Sequence, residues 1–391
     1  MQIDIRLSKR LEKINPSSTL AITAKAKKLK SQGCDIVNFA AGEPDFDTPD
    51  FIKDAAITAI KTGFTKYTPT TGIPELKKLI SEKLRKDNFL EYDSSQIVVS
   101  CGAKHSIFNT LMVLVNKGEE VLIPSPYWLS YPEMVNLCEG RPRFIKTLPE
   151  NNFKIKIRDL EKNINSKTKL IILNSPSNPT GCLYAEGELN EISGICAAKN
   201  IFVISDEIYE KIIYDGLKHV SIASLGKGIY DRTITINGLS KSYSMTGWRI
   251  GYLAAPQPIV DAVSNLQDHS TSNPASISQK AAVAALQAPD DFSELITAEF
   301  QKRRDFAIER LSKIKRISFV KPNGAFYIFC DISNSGLNSL TFANRLLDEA
   351  YVSLIPGAAF GRDDYVRISF ATNILELEKG INRIEQWLNK V

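Results

Sequence analysis

Four polar segments of this 391-residue chain carry residues that could do chemistry, and each follows a short apolar run. The first is Gly102-Ala103-Lys104, a lysine after two small residues, and the second contains Asn178. The third pairs Asp206 with Tyr209, and the fourth carries Ser240-Lys241 together with Arg249. Alone, each of these residues is common in turns and helix caps. Four such strand ends in one sheet indicate a binding or catalytic site.

The chemistry is coherent for a ligand with a phosphate, an aldehyde and a basic ring nitrogen. Gly102 and Ala103 would present backbone N–H groups at a helix N-terminus, and Arg249 would add a bidentate contact, so both favour a phosphate. Lys241 could form a Schiff base with the aldehyde if its surroundings lower its pKa. Asp206 would keep the ring nitrogen protonated, which makes the ring an electron sink. These features predict pyridoxal 5'-phosphate as the cofactor.

The elements that position these residues alternate between strands and helices. Seven runs rich in Ile and Val lack polar alternation, which indicates strands covered on both faces: 97–100, 121–124, 144–147, 170–174, 201–205, 233–237 and 250–254. Helical stretches such as 107–115 and 189–199 separate several of them. The pattern predicts an α/β fold with a mostly parallel seven-stranded sheet, whose ligands bind beyond the carboxyl ends of the strands.

The rest of the chain predicts a smaller α/β unit and a three-part organisation. Residues 1–47 are expected to form an N-terminal arm and part of the small domain, 48–289 the large domain, and 290–391 the small C-terminal domain, because the pattern breaks at 288–291. The long helix of the small C-terminal domain is expected around residues 300–314. In the large domain, Thr48 and Pro49 predict a helix start, with Ile52, Ala56 and Ile60 on the buried face.

Composition and charge exclude several other classes. The 49 basic and 44 acidic side chains are well mixed, without the basic stripe and stacking aromatics that nucleic-acid binding needs. No run of about 18 apolar residues exists and residues 1–10 are polar, so we expect no membrane segment and a cytoplasmic location. The six cysteines lack a CxxC pair and the three histidines lack ligand spacing, so we expect neither disulfides nor a metal site.

The block from Gly238 to Gly251, GLSKSYSMTGWRIG, is similar to the lysine signature of class I and II aminotransferases. Further matches follow in order over nearly the whole chain: 41–46, 67–69 with Gly72, 126–128, the Asn178 turn, Asp206 with Tyr209, and Arg367. The ensemble resembles the bacterial-type (1b) aspartate aminotransferases. This resemblance implies the fold type I of pyridoxal-phosphate enzymes.

The resemblance also implies roles. Lys241 would carry the Schiff base and then act as general base, and Asp206 would pair with the ring nitrogen. Trp128 would stack on the cofactor ring, and Asn178 and Tyr209 would donate to the ring oxygen. The phosphate would be held by Gly102, Ala103, Lys104, Ser240 and Arg249. Arg367 and the Gly42 backbone would bind the substrate α-carboxylate, with Trp128 and Asn178 beside it. Tyr67 would reach the phosphate of a neighbouring subunit, which implies a homodimer with shared active sites.

These inferences predict transfer of the amino group of L-aspartate to 2-oxoglutarate. Lys104, Ser17 and Thr19 are candidates for the distal carboxylate by resemblance, although Lys104 could serve the phosphate instead. Relatives that accept prephenate tend to carry a basic residue where this chain has Asn15, with Lys13 nearby. Aromatic, alanine or prephenate specificity and a pyridoxal-phosphate lyase remain alternatives. A phosphate-ligand-binding protein without covalent chemistry has neither GxGxxG nor GxxxxGK[ST] to support it, and a purely structural protein has no repeat or heptad.

Overall fold

The computed structural model describes residues 8–14 and 18–390. The strands are β1 (Val37–Asn38), β2 (Ile97–Ser100), β3 (Glu120–Ser125), β4 (Arg141–Lys146), β5 (Thr168–Asn174), β6 (Phe202–Asp206), β7 (Thr233–Gly238), β8 (Gly251–Ala254), β9 (Ser318–Phe319), β10 (Tyr327–Asp331), β11 (Val352–Ser353), β12 (Ile355–Pro356) and β13 (Tyr365–Ser369). The α-helices are α1 (Ser18–Ser31), α2 (Asp50–Lys61), α3 (Pro74–Asn88), α4 (Ala103–Leu114), α5 (Ser130–Leu137), α6 (Ile157–Asn163), α7 (Glu186–Ala198), α8 (Lys227–Tyr230), α9 (Gln257–Asp268), α10 (Ser276–Gln287), α11 (Asp291–Leu311), α12 (Ser339–Ala350) and α13 (Ile374–Leu388).

The large sheet has seven strands in the order β2-β8-β7-β6-β5-β3-β4. Neighbouring strands are parallel, except that β8 runs antiparallel to both β2 and β7. Separate apolar clusters pack on its two faces, so the strands need apolar side chains on both sides and their sequences do not alternate. The predicted mostly parallel seven-stranded sheet is confirmed.

The register of this sheet brings the polar strand ends together. Asn174, at the end of β5, pairs with Asp206 at the end of β6, and Asp206 pairs with Ile236 of β7. Asn178 and Lys241 lie in the turns that follow β5 and β7. The residues singled out in the sequence therefore meet at one edge of the sheet, as parallel strands require.

A four-stranded antiparallel sheet, in the order β12-β13-β10-β9, forms the smaller unit with α11, α12 and α13. β1 pairs in parallel with β11, which joins the N-terminal part of the chain to the C-terminal part. The core here includes Val37, Phe39, Phe300 and Leu377. The division at residues 47 and 289 stays a prediction. None of the described helices combines the length and apolar character that crossing a bilayer requires.

Three local predictions were wrong. Thr48 is not an N-cap, because α2 begins at Asp50 and the Thr48 hydroxyl donates instead to the Ser244 carbonyl at 2.7 Å. Ile60 is 53% exposed, since at about 100° per residue it lies roughly 80° around the helix from Ile52. Ala59 takes its place on the buried face. The long helix α11 begins at residue 291, well before the predicted start at 300.

Candidate active site

A cavity of about 390 Å³ lies at the carboxyl ends of β5, β6 and β7. Among the predicted site residues that the structure describes in full, all except Gly102 and Tyr67 line it: Gly42, Ala103, Lys104, Trp128, Asn178, Asp206, Tyr209, Ser240, Lys241, Arg249 and Arg367. The lining also includes polar residues that the sequence did not single out, among them Tyr131, Asn174, Thr246 and Tyr327.

Lys241 lies in the turn after β7, with its amine in the cavity. Its Nζ donates a hydrogen bond of 2.7 Å to the Gly42 carbonyl. Burial lowers the pKa of Lys241 to about 8; the Glu43 carboxylate opposes this shift, and the Arg367 and Arg249 cations add to it. An ordinary lysine has a pKa of about 10.4, so this amine is neutral far more often near pH 7 to 8. It suits a nucleophile that attacks an aldehyde.

Asp206 ends β6 and is buried. Its Oδ2 accepts a hydrogen bond of 2.6 Å from the Tyr131 hydroxyl, and its Oδ1 accepts one of 3.3 Å from the Ile208 backbone N–H. Burial raises the pKa of Asp206 to about 6, and these two donors limit the rise. A cationic ring nitrogen beside the carboxylate would favour its ionised form.

The N-terminus of α4 forms the anion-binding end of the cavity. Gly102 precedes the helix with φ of 90°, and a Cβ there would stand 2.5 Å from Arg249 Nη2, so the guanidinium can lie against this turn only beside glycine. Arg249 donates to two backbone carbonyls at 2.9 and 3.3 Å, which leaves further N–H groups for an anion. One detail departs from the prediction. The Gly102 N–H donates to the Ser100 carbonyl at 2.7 Å, so the free N–H groups of the helix begin at Ala103.

Arg367, on β13, also lines the cavity and is only 4% exposed. Its guanidinium donates to Asn178 Oδ1 and to the Ala40 carbonyl, both at 3.0 Å, and lies 4.2 Å from the centre of the Tyr327 ring. The buried Nε has no hydrogen-bond partner among residues 8–14 and 18–390. A planar cation with an unused donor fits a carboxylate.

Asn178 and Tyr209 are both held by neighbours in the cavity. The Asn178 backbone N–H donates to Asn174 Oδ1 at 2.8 Å. Because the Asn178 side-chain oxygen accepts from Arg367, the two N–H groups of the Asn178 side chain remain for a ligand. The Tyr209 hydroxyl lies 2.9 Å from the Tyr327 hydroxyl. Tyr327 comes from β10 of the small sheet, and its position within an apolar strand signalled only a core residue.

Trp128 and Lys104 are adjacent. The Lys104 Nζ lies 4.8 Å from the centre of the Trp128 ring, and burial together with Arg249 lowers the pKa of Lys104. The Trp128 ring also packs edge to face on Tyr131, with centres 5.3 Å apart. Lys104 therefore supplies a cation in the same cavity as Arg367.

Some predicted residues lie away from this cavity or outside the description. Tyr67 is 91% exposed and does not line it. Asn15 and Ser17 fall outside the described residues, and the side chains of Lys13 and Thr19 are also outside the description.

The donor set fits pyridoxal 5'-phosphate. A buried carboxylate with a raised pKa suits a basic ring nitrogen, and an amine with a lowered pKa suits an aldehyde. A helix N-terminus beside Arg249 suits a phosphate. Asp206, Lys241, Ala103, Ser240 and Arg249 would hold these three parts.

Comparison with known proteins agrees with this fit. The sequence profile described as "Aminotransferase class I and II" matches residues 34–384. The chain is 47% identical to the aspartate aminotransferase of Bacillus sp. (strain YM-2), over 98% of this chain and 99% of that protein. It is 48% identical to the probable aspartate/prephenate aminotransferase of Rickettsia bellii (strain RML369-C), over 97% of this chain and 98% of that protein.

A solved structure agrees as well. The crystal structure of the aspartate aminotransferase from Rhizobium meliloti matches with a TM-score of 0.95 at 39% identity, covering 98% of this chain and 99% of that one. The predicted fold and cofactor are thereby confirmed. The chain belongs to the class I and II aminotransferase family, whose enzymes work with pyridoxal 5'-phosphate.

Proposed function

We propose that this enzyme transfers the amino group of L-aspartate to 2-oxoglutarate, giving oxaloacetate and L-glutamate. The observation that carries the proposal is the presence of two cations, Arg367 and Lys104, in the cavity that holds the Lys241 amine. Aspartate and 2-oxoglutarate each carry two carboxylates, so both cations gain a partner. The full-length likeness to the Bacillus protein supports the same substrate.

Arg367 binds and orients the substrate. Its guanidinium donates to the α-carboxylate, whose planar geometry and negative charge match the arginine fork. The Gly42 backbone completes this end, because it lies beside Tyr327, whose ring packs on the Arg367 guanidinium at 4.2 Å. Lys104 takes the distal carboxylate, and the burial of Arg367 strengthens the attraction to the α-carboxylate.

Lys241 and Asp206 handle protons. Pyridoxal 5'-phosphate, when bound, supplies an aldehyde that condenses with amines and a protonated ring that draws electrons from the substrate Cα. Lys241 Nζ, with its lowered pKa, takes the proton from that Cα as a neutral amine. Positioned proton transfer of this kind contributes on the order of 10²–10⁴-fold. The Asp206 carboxylate holds a proton on the ring nitrogen.

The assay couples oxaloacetate formation from L-aspartate and 2-oxoglutarate to NADH consumption by malate dehydrogenase. We expect robust turnover with aspartate, and we expect Lys104→Met to raise KM for aspartate but not for alanine. Lys104→Arg, which keeps the charge, is the matched control and should stay close to the parent. A higher kcat/KM for alanine or an aromatic donor than for aspartate would contradict the proposal, as would product release without an acceptor.

Prephenate is a second candidate acceptor. The Rickettsia bellii relative is named an aspartate/prephenate aminotransferase, and prephenate also carries two carboxylates. Replacing 2-oxoglutarate with prephenate in the same assay decides between them. A kcat/KM for prephenate at least equal to that for 2-oxoglutarate favours the second candidate.

The enzyme acts as a homodimer in which Tyr67 completes the partner's site. Tyr67 is 91% exposed although its loop is firmly held. The Gln279 side chain donates to the Thr68 hydroxyl at 3.0 Å and accepts from the Ile73 N–H at 2.8 Å. The Gln267 side chain donates to the Thr70 carbonyl at 2.7 Å. A rigid loop that presents a tyrosine to solvent is suited to another subunit.

Subunit mixing tests this arrangement. In a shared-site dimer, a hybrid of Lys241→Ala and Tyr67→Ala protomers contains one site with both native residues. Each hybrid should therefore have about half the activity of the parent dimer, and a randomly mixed sample, in which about half of the dimers are hybrids, should reach about a quarter. Sedimentation should show a dimer. Absence of restoration in a mixture proven to contain hybrids would place Tyr67 outside the partner's site.

A further inference from the structure

The segment of residues 42–48 begins at the active-site cavity, which Gly42 lines, and has contacts that the proposed chemistry does not use. Asp45 pairs with the buried Arg303 of α11 at 2.7 Å, and the Phe46 ring packs edge to face on Phe300 with centres 5.5 Å apart. One side of the segment is thus anchored to a helix of the smaller unit. The other side faces the turn that carries Lys241.

Two threonine hydroxyls are among the donors that join this segment to the Lys241 turn. The Thr246 hydroxyl donates to Glu43 Oε2 at 2.7 Å, and the Thr48 hydroxyl donates to the Ser244 carbonyl at the same distance. Thr246 also holds Arg249, whose Nη1 donates to its carbonyl at 2.9 Å. Thr246 therefore connects the phosphate end of the cavity to Glu43.

Glu43 stands beside the backbone where the substrate's α-carboxylate is expected. Its neighbour Gly42 accepts the Lys241 Nζ hydrogen bond at 2.7 Å, and Ala40, two residues earlier, accepts one from Arg367 at 3.0 Å. Gly42 has no side chain and lies between Ala40, which Arg367 holds, and Glu43, which Thr246 holds. Its backbone position depends on what fixes the residue that follows it.

We propose that Glu43 is a positioning residue: by accepting the Thr246 hydroxyl, it fixes the Gly42 backbone at the carboxylate end of the cavity. This inference rests on the proposed function, since it assumes a carboxylate substrate at Arg367. The positioning role belongs to the hydrogen bond, because an amide oxygen at the same place accepts the same donor. The Glu43 charge acts separately, by opposing the lowering of the pKa of Lys241.

The test uses the full-chain holoenzyme and two pairs of variants. Glu43→Ala and Thr246→Val remove the hydrogen bond, whereas Glu43→Gln and Thr246→Ser keep it. We expect each of the first pair to raise the dissociation constant of maleate, a dicarboxylate without an amino group, by about five- to tenfold, the effect of one hydrogen bond. KM for aspartate should rise similarly, with a smaller change in kcat. The second pair should stay within about twofold.

A double-mutant cycle and hydrogen exchange give independent readouts. Glu43→Ala/Thr246→Val should bind maleate no more weakly than the weaker single variant, because both changes remove one interaction. Amide exchange in a peptide covering residues 40–48 should quicken several-fold in the first pair and not in the second. Both residues lie at the protein surface, so equal melting temperatures should show that folding is intact.

The outcomes separate this inference from the proposed function. Additive effects, unchanged exchange at residues 40–48, or a Glu43→Gln variant as impaired as Glu43→Ala would each overturn the positioning role. Failure of the parent enzyme to turn over aspartate would overturn the proposed function instead. The exchange measurement would still decide whether Glu43 fixes the segment, because it uses no substrate.

Discussion

The hydrogen bond from Tyr131 to Asp206 makes a quantitative prediction. The hydroxyl donates to the buried carboxylate at 2.6 Å, and Asp206 has a pKa of about 6 with that donor in place. A hydrogen bond to a charged group contributes about 1.5–3 kcal/mol, and one pKa unit corresponds to about 1.4 kcal/mol. Tyr131→Phe removes a donor that favours the ionised form, so the pKa of Asp206 should rise to roughly 7–8.

The assay is a pH titration of the cofactor-free protein labelled with ¹³C at aspartate carboxyl groups. Carbon NMR follows each carboxyl, and the signal missing in Asp206→Asn identifies residue 206. Tyr184→Phe is a matched control, because the Tyr184 hydroxyl is buried and accepts from the Ile155 N–H at 3.0 Å. It should leave the midpoint of Asp206 unchanged.

A rise in the midpoint confined to Tyr131→Phe supports the reasoning. A midpoint that stays at its parent value, or that falls, would refute the claim that this hydroxyl keeps Asp206 ionised. An equal rise in Tyr184→Phe would also refute it, since the effect would then come from general loosening of the core.

Three further predictions concern single residues. Asp206→Asn should keep the parent's melting temperature while kcat falls by about 10²–10³-fold, the usual cost of losing one electrostatic stabiliser, and near-normal turnover would contradict its role. Arg367→Lys should raise KM for aspartate and for 2-oxoglutarate by about 10- to 100-fold, because a lysine cannot replace the fork; an unchanged KM for either would place the carboxylate elsewhere. Burial lowers the pKa of His219, but its pairing with Glu207 at 3.0 Å outweighs this and leaves the pKa above 6.5. That stabilisation is complete below pH 6.5 and disappears as the pH rises through the folded-state pKa, so urea titrations should show His219→Gln losing more free energy of unfolding at pH 6 than at pH 9. A loss that is equal at both pH values would contradict the pair.

Much of the architecture was predictable because burial on both faces of a sheet leaves a simple pattern. The runs at 97–100, 170–174 and 233–237 have no polar residue facing water, so each indicated a strand on its own. The ends of the runs at 170–174, 201–205 and 233–237 then located Asn178, Asp206 and Lys241. The family resemblance added Arg367, which no local pattern distinguished from a surface arginine.

The remaining residues could not be predicted from local patterns. Tyr131 sits on the amphipathic helix α5, where a tyrosine that bonds Asp206 looks like any core aromatic. Tyr327 meets Tyr209 from 118 positions along the chain. Ile60 is a different case, because its angle of roughly 80° from Ile52 around α2 already indicates its exposed position.

The proposed chemistry depends on a covalent bond between Lys241 and the cofactor. Borohydride reduction makes that bond permanent and so detects it. The holoenzyme is reduced, digested and analysed by mass spectrometry, with Lys241→Ala treated in parallel. We expect a reduced pyridoxyl-phosphate adduct on the peptide that contains Lys241. We expect no adduct on Lys104, which shares the cavity, and none in the variant. An adduct on Lys104 in the parent enzyme, or no adduct at all in a protein that retains stoichiometric cofactor, would contradict the proposed chemistry.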